Sequence, residues 1–307
     1  MGYSVLALHY KIMTMKNTIV VAGATGNLGQ RICRELIKRG AHVKAIVRSG
    51  GNADKINIIK ELGVEIIEVS QLKADELSAA CQGALCVVSA VAGLRDVIVD
   101  AQLELLNAAV AAGVPHFIPS DFSSDFTKIP KGENRNFDLR KEFHEHLDKS
   151  PINATSIFNG CFADILRYNT PLFNVKSQTV AYYGDKTNWQ IDFTTMDDTA
   201  AFTAAAALDA AAPRYLRIAS FRVSPNDLVT LSSEYKGTGF KLLDMGSMEN
   251  FSAYNKTQRA ENPSGEEELY PKWQQAQYLY SMFLAHHEIL DNEMYPGTVV
   301  SKVENNI

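Results

Sequence analysis

Three glycines, Gly23, Gly26 and Gly29, sit in the run Thr-Ile-Val-Val-Ala-Gly-Ala-Thr-Gly-Asn-Leu-Gly that spans residues 18–29. Glycines at this spacing let bare backbone N–H groups approach an anion. Gly23 permits a tight turn, Gly26 lets phosphates come close to the chain, and Gly29 lets a following helix pack on the preceding strand. Thr25, Asn27 and Leu28 complete the loop, and the helix N-terminus adds unpaired donors and a partial positive charge. The flanks fit a dinucleotide pyrophosphate site rather than a plain turn. The β-branched residues Ile19, Val20 and Val21 come before, and the helical pattern Leu28, Ile32, Leu36, Ile37 comes after.

A second candidate lies at the end of the next apolar run, Ala41 to Val47, where Arg48 follows. An acidic side chain here would bind the ribose hydroxyls of NAD, whereas an arginine can accept the 2′-phosphate of NADP. Residues 41–52 hold no Asp or Glu. The planar fork of Arg48 suits a phosphate and Lys55 can add a second charge, so the reading is NADP(H).

These residues need a scaffold, and the chain alternates short β-rich runs with helical patterns. Strands are expected at 18–23, 42–48, 64–69, 85–91, 115–119 and 153–158. Helices are expected near 28–39, 54–62, 74–82, 96–112 and 136–149. Near-continuous apolar strands separated by helices imply a parallel sheet covered on both faces. Ligands bind outside the carboxyl ends of such strands. That rule selects Ser70 and Gln71, then Ser89, Ala90 and Val91, then Ser120 to Phe122, and Asn159 to Phe162. The expected fold class is α/β, a doubly wound parallel-sheet Rossmann fold with a smaller C-terminal α/β substrate lobe.

Composition agrees. The chain has 307 residues, 46% hydrophobic and 21% charged, enough for one large α/β domain plus an appended lobe. A net charge of −5 without a basic run argues against a nucleic-acid partner. No apolar stretch reaches the roughly 20 residues of a membrane helix. Cys33, Cys81, Cys86 and Cys161 lack zinc-ligand spacing and read as reduced buried thiols, and no metal site is expected. Residues 1–16 do not fit the repeat and are expected to be a flexible extension. Their apolar patch, Val5 to Leu8, is too short for a signal-peptide core, so a cytoplasmic location is expected.

Four segments carry a family resemblance: Gly-Ala-Thr-Gly-Asn-Leu-Gly at 23–29, Ile-Val-Arg at 46–48, Phe-Ile-Pro-Ser-Asp-Phe at 117–122 and Asp-Phe-Thr-Thr-Met-Asp-Asp at 192–198. The tail at 291–297 adds a fifth. The chain resembles the NmrA-like and isoflavone-reductase-like branch of the atypical short-chain dehydrogenases. The resemblance implies an NADP-binding domain over 17–158 and a mostly substrate-binding lobe over 159–307, some of whose strands and helices return to the first domain. It places Ser120 and Phe122 by the nicotinamide, with Asn159, Cys161 and Phe162 continuing along the cofactor. Plant members reduce phenylpropanoid-type substrates, while other members bind the dinucleotide as redox sensors.

Ordinary short-chain dehydrogenases use a Tyr-x-x-x-Lys pair on a helix. Here the literal match, Tyr182 to Lys186, falls in Val-Ala-Tyr-Tyr-Gly-Asp-Lys, a strand and turn, where residues four apart stand about 13 Å apart. It reads as coincidence. The expected helix, 136–149, has no tyrosine, and Phe137 stands in its place. In reductase-type relatives a single lysine on this helix is catalytic. Alignment by the apolar Phe143 and Leu147 puts Arg140 there, while alignment from Asn159 puts Lys141 there. Arginine stays protonated and cannot act as a base, so catalysis is assigned to Lys141, which also counts among the cofactor-binding residues.

His144 and His146, two apart on a helix, make a poor metal pair. Thr194 or Thr195 with Asp197 and Asp198 reads as a helix start, and Ser224-Pro225-Asn226-Asp227 as another. Residues 268–286 read as an aromatic helix, and 255–268 as an exposed connection or mobile lid. Two functions stay open. One is an NADPH-dependent oxidoreductase acting on a small apolar or aromatic carbonyl, imine or activated alkene of quinone or enone type. The other is a non-catalytic NADP(H)-sensing regulator of the NmrA type. No sequence feature fixes the oligomeric state, and a homodimer is compatible with either.

Overall fold

The computed structural model describes residues 17–70, 74–299 and 301–307. The expected N-terminal extension and Gln71 lie outside the described residues. The first half alternates as its apolar runs require: β1 (Thr18–Ala22), α1 (Asn27–Lys38), β2 (His42–Arg48), α2 (Ala53–Glu61), β3 (Glu65–Val69), α3 (Ala74–Cys81) and β4 (Cys86–Ser89). A π-helical turn, Asp96–Ala101, runs into α4 (Gln102–Ala111), followed by β5 (His116–Ile118), α5 (Arg135–Leu147) and β6 (Asn153–Ala154). The six strands pair in the order β3-β2-β1-β4-β5-β6, and every pairing is parallel. All five residues of β1 are buried. Alternation explains why: Ile19 and Val21 join the core with Ile32, Cys33 and Leu36 of α1, while Val20 and Ala22 join the one with Leu77, Leu105 and Leu106. The order reverses between β1 and β4, which leaves a crevice above their carboxyl ends.

The expected sixth strand, 153–158, is divided. Only Asn153–Ala154 joins the main sheet, and β7 (Ser156–Phe158) turns to a different partner. The bend is at Thr155, fully buried, whose Oγ1 donates to the Pro213 carbonyl at 2.7 Å and lies 2.9 Å from His116 Nε2. After β8 (Cys161–Phe162), β9 (Phe173–Asn174), β10 (Thr179–Tyr182) and β11 (Ile191–Thr194) comes α6 (Met196–Leu208). Then follow β12 (Tyr215–Arg217), β13 (Phe221–Val223), α7 (Pro225–Lys236), β14 (Lys241–Asp244), α8 (Met248–Glu261) and α9 (Lys272–Met282). These strands form small sheets, β14-β10-β9, β13-β11-β8 and β12-β7. Their main core gathers Phe173, Phe193, Leu279 and Phe283.

Local signals set the helix ends. Thr195 caps α6 by accepting from Asp198 N at 3.1 Å, and Ser224 with Asp227 forms a reciprocal capping box on α7. α6 packs against α1, and its Phe202, Ala204 and Ala206 enter the core of Ile19 and Val21. The connection expected over 255–268 is largely exposed, as read, but its first part is helical. Ser247 caps α8, which runs to Glu261 with Phe251 and Asn255 buried, and a 3-10 turn, Pro263–Glu267, follows.

Candidate active site

The glycine turn has the form its spacing predicts. Gly23 takes φ +77°, a left-handed conformation, and a Cβ there would overlap the Ala90 carbonyl at the end of β4. A Cβ on Gly29 would overlap the Gly23 carbonyl, so the close seating of α1 on the turn needs both glycines. Gly26, at the N-cap of α1, is exposed with Asn27, no side chain caps the helix, and no acidic residue lies in its first turn. Those first N–H groups are therefore open to an anion. Arg48 ends β2, exposed and without a side-chain partner among the described residues. Lys55 lies in the first turn of α2, which begins past the intervening turn, and its N–H bonds the Asn52 cap at 3.0 Å. Ser70 is taken up elsewhere, its N and Oγ donating to Glu76 at 2.8 and 2.7 Å.

From the turn a line of contacts crosses the strand ends. Gly23 lies against Ala90 and Val91. Val91 O accepts from Ser120 Oγ at 2.6 Å, and Ser120 O accepts from Arg140 Nε at 3.0 Å. Arg140 lines a cavity of about 330 Å³ together with Phe122, Phe137, Phe162, Tyr270, Tyr278 and Met282. Cys161 also lines it, its thiol pushed up to about 12 by burial and a nearby Asp164. Ser89 Oγ and both amide atoms of Asn159 are buried without a partner among the described residues. The structure thus brings Ala90, Val91 and Ser120 into line with the glycine turn at the strand ends, and sets Phe122, Cys161 and Phe162 with Arg140 around the cavity.

Lys141 departs from its expected place. Its Nζ donates to the Ile129 carbonyl and lies 3.7 Å from Asp138, and it does not line the cavity. One residue of helix turns a side chain by about 100°, so Arg140 and Lys141 cannot face the same space. The register that seats Phe143 and Leu147 in the core points Arg140 at the cavity, its Nη1 donating to Asn136 O at 2.9 Å. Phe137, in place of a tyrosine, is buried and packs edge-on against Tyr278 with centroids 5.3 Å apart. The strand pair Tyr182 and Lys186 has no shared site, since the Lys186 ammonium lies 3.6 Å from the Trp189 ring centroid.

Other contacts were not foreseen. Gly160, at φ +62°, packs where a Cβ would overlap the Asp192 carbonyl, and only its being a glycine signals this. Asp121 is fully buried and its Oδ2 lies 2.7 Å from His144 Nε2. Burial would raise its carboxyl, but His144 and Ser156, with the charge of Arg140, hold it below the usual range. Arg135 donates to the carbonyls of Gly265, Glu266, Glu268 and Leu269 at 2.9–3.2 Å and lies over the Trp273 ring. Asn136 Nδ2 reaches Leu269 O at 3.2 Å and Tyr278 Oη at 3.0 Å. The segment expected as a mobile lid is therefore clamped to α5, and Tyr270 at its end becomes cavity wall. Of the aromatic stripe, Trp273, Tyr280 and Phe283 are core, whereas Tyr278 and Met282 also line the cavity.

Residues 15–258 match the NmrA-like family. Over 235 residues the chain is 30% identical to pinoresinol reductase 2 of Arabidopsis thaliana, covering 71% of this chain and 72% of that one. Pinoresinol reductase 1 of the same plant is 31% identical over 206 residues, a match covering 62% of this chain and 64% of the relative, a little under two thirds of its length. Among solved structures, AtPrR2 with NADP+ and (+)pinoresinol has a TM-score of 0.77 at 24% identity, covering 95% of this chain and 98% of that one. The binary complex of leucoanthocyanidin reductase and NADPH from Vitis vinifera has a TM-score of 0.77 at 18% identity, covering 94% and 97%. At these identities the structural likeness is one of fold. Among the described residues no helix is long and apolar enough to cross a membrane.

Proposed function

Since the chain belongs to the NmrA-like family, we propose that it is an NADPH-dependent oxidoreductase acting on a small apolar or aromatic carbonyl, imine or activated alkene. The observation that carries this reading is the unbroken path from the glycine turn, through Val91 and Ser120, to Arg140 and an aromatic cavity. Relatives named as pinoresinol reductases support it. On this reading residues 17–158 bind the dinucleotide, and 159–307 mostly build the substrate lobe, with α6 returning to cover the sheet.

The glycine turn and the open N-terminus of α1 would hold the pyrophosphate, with Thr25, Asn27 and Leu28 alongside, and Arg48 and Lys55 would meet the 2′-phosphate. Ser89, Ala90 and Val91 would flank the cofactor, and Ser120, Phe122, Asn159, Cys161 and Phe162 would border its reactive end. Bound there, NADPH supplies a hydride. The chain must position the acceptor and supply a proton. Arg140, a guanidinium, contributes a fixed positive charge. Tyr278 Oη accepts from Asn136, which leaves its own proton free to be directed into the cavity. Phe122, Phe137 and Phe162 exclude water.

The test is NADPH consumption by the purified protein against quinones, aromatic ketones, imines and enones. Turnover above background is expected, with Tyr278→Phe lowering kcat about 10²-fold and leaving NADPH affinity unchanged. The absence of a tyrosine on α5, together with Lys141 turned from the cavity, favours a second reading, an NADP(H)-sensing regulator. Tight NADP(H) binding with no consumption of any substrate class would establish it over the first.

A further inference from the structure

We propose that the ligand taken up by the aromatic cavity is an aromatic carboxylate, held by an ion pair with Arg140. The proposal rests on the reductase reading and names its substrate class. Arg140 is the sole charged residue among those described as lining the cavity. Its guanidinium is half-buried and satisfied only in part: Nε and Nη1 donate to the carbonyls of Ser120 and Asn136, and Nη2 has no acceptor among the described residues. No carboxylate of the described residues comes within ion-pair distance of it. Arg217 and Arg222 are similarly buried, and each meets an aspartate, at 3.1 and 2.6 Å. Asp121, behind Ser120, feels the charge of Arg140; its Oδ2 is engaged by His144 and its Oδ1 has no partner among the described residues, and the carboxylate lies beyond ion-pair distance of the guanidinium.

A fixed cation on an apolar wall attracts an anion far more strongly than it would in water, because the aromatic surroundings lower the local dielectric. The free edge of a guanidinium matches the two oxygens of a carboxylate. One negative charge balances the cavity, whereas a phosphate dianion would leave charge unmatched among Phe122, Phe137 and Phe162. Those rings with Tyr270 and Tyr278 call for a planar aromatic body. A volume of about 330 Å³ is at the small end for ligand pockets and fits one or two fused rings.

The test is calorimetric titration of the NADP+-saturated protein with 2-naphthoate and 2-naphthamide, two ligands of one shape that differ in charge. NADP+ binding is measured first. Naphthoate is expected to bind at least about tenfold more tightly, as a charge-assisted pair requires. Arg140→Met should erase the difference, and Arg140→Lys should keep most of it. Should the methionine variant fail to fold, Arg140→Gln, which retains an amide donor, is held to the same outcome. Equal affinities in the unmodified protein, survival of the preference in the methionine or glutamine variant, or no binding of either ligand overturns the proposal. Failure to bind NADP+ at the outset strikes instead at the reductase reading, and the same pair of ligands is then judged on the bare protein by the same outcomes.

Discussion

A single residue separates two cofactors in this reading. Arg48 stands at the end of β2 with no carboxylate bound to it among the described residues, so its charge is available to a phosphate. Hydrogen bonds between charged partners are worth about 1.5–3 kcal/mol. Arg48→Ala should therefore weaken NADPH about 10- to 100-fold while changing NADH less than about threefold, measured by fluorescence titration of each. Equal losses for both would defeat the phosphate assignment. The same scale shows why neighbours on a helix are not interchangeable. Arg140 and Lys141 have similar charge, but one lines a cavity and the other binds Ile129 O.

At the scale of elements, α5 does two jobs with successive turns. Its first turn holds Arg135 and Asn136, which fasten the segment running from Pro263 to Tyr270. Phe137 of the same turn and Arg140 of the next face the cavity that this segment walls. Position of the wall and direction of the cation are thus set by one rigid helix. Arg135→Met removes four charge-assisted bonds to backbone carbonyls, which then must find water. A loss of about 2–3 kcal/mol in denaturant-unfolding stability is expected. Faster amide exchange confined to residues 262–271 and a raised KM with kcat little changed should accompany it. Uniformly faster exchange across the main sheet would show that the clamp instead supports the whole fold.

For the molecule as a whole, two buried histidines couple stability to pH. His116, at the start of β5 beside Thr155, and His287, whose N–H donates to Asp192 at 2.7 Å, both have their pKa lowered to about 4. In each case burial is the main cause and nearby carboxylates oppose it. A folded pKa below the unfolded value of about 6.5 means that the unfolded chain binds protons first on acidification. The stabilisation these neutral rings represent is complete above about pH 6.5 and is lost as pH falls towards 4. Each should contribute on the order of 2–3 kcal/mol across that window. Urea unfolding at pH 7 and pH 4.5 should show the drop, and His116→Gln should flatten it. An unchanged slope in that variant would remove His116 from the account.

Much of this was readable in the residues. The glycine turn, five of the six main-sheet strands and all of the helices between them lie within a few residues of where apolar periodicity and caps put them. Periodicity records which side of a local element is buried, and the chain carries that record in order. The features that escaped depend on atoms far along the chain. The sixth strand leaves the main sheet after Ala154, where Thr155 Oγ1 donates to Pro213 O, and the segment read as a mobile lid is tied to α5 because Arg135 meets carbonyls 130–134 positions away. The register of α5 was the open question for catalysis. Local pattern allowed Arg140 or Lys141 at the position of the relatives' lysine, and with Phe143 and Leu147 in the core it is Arg140 that lines the cavity, while Lys141 meets Ile129 O. Local burial is a property of neighbours in sequence; the direction of one side chain on a buried helix is settled by neighbours in space.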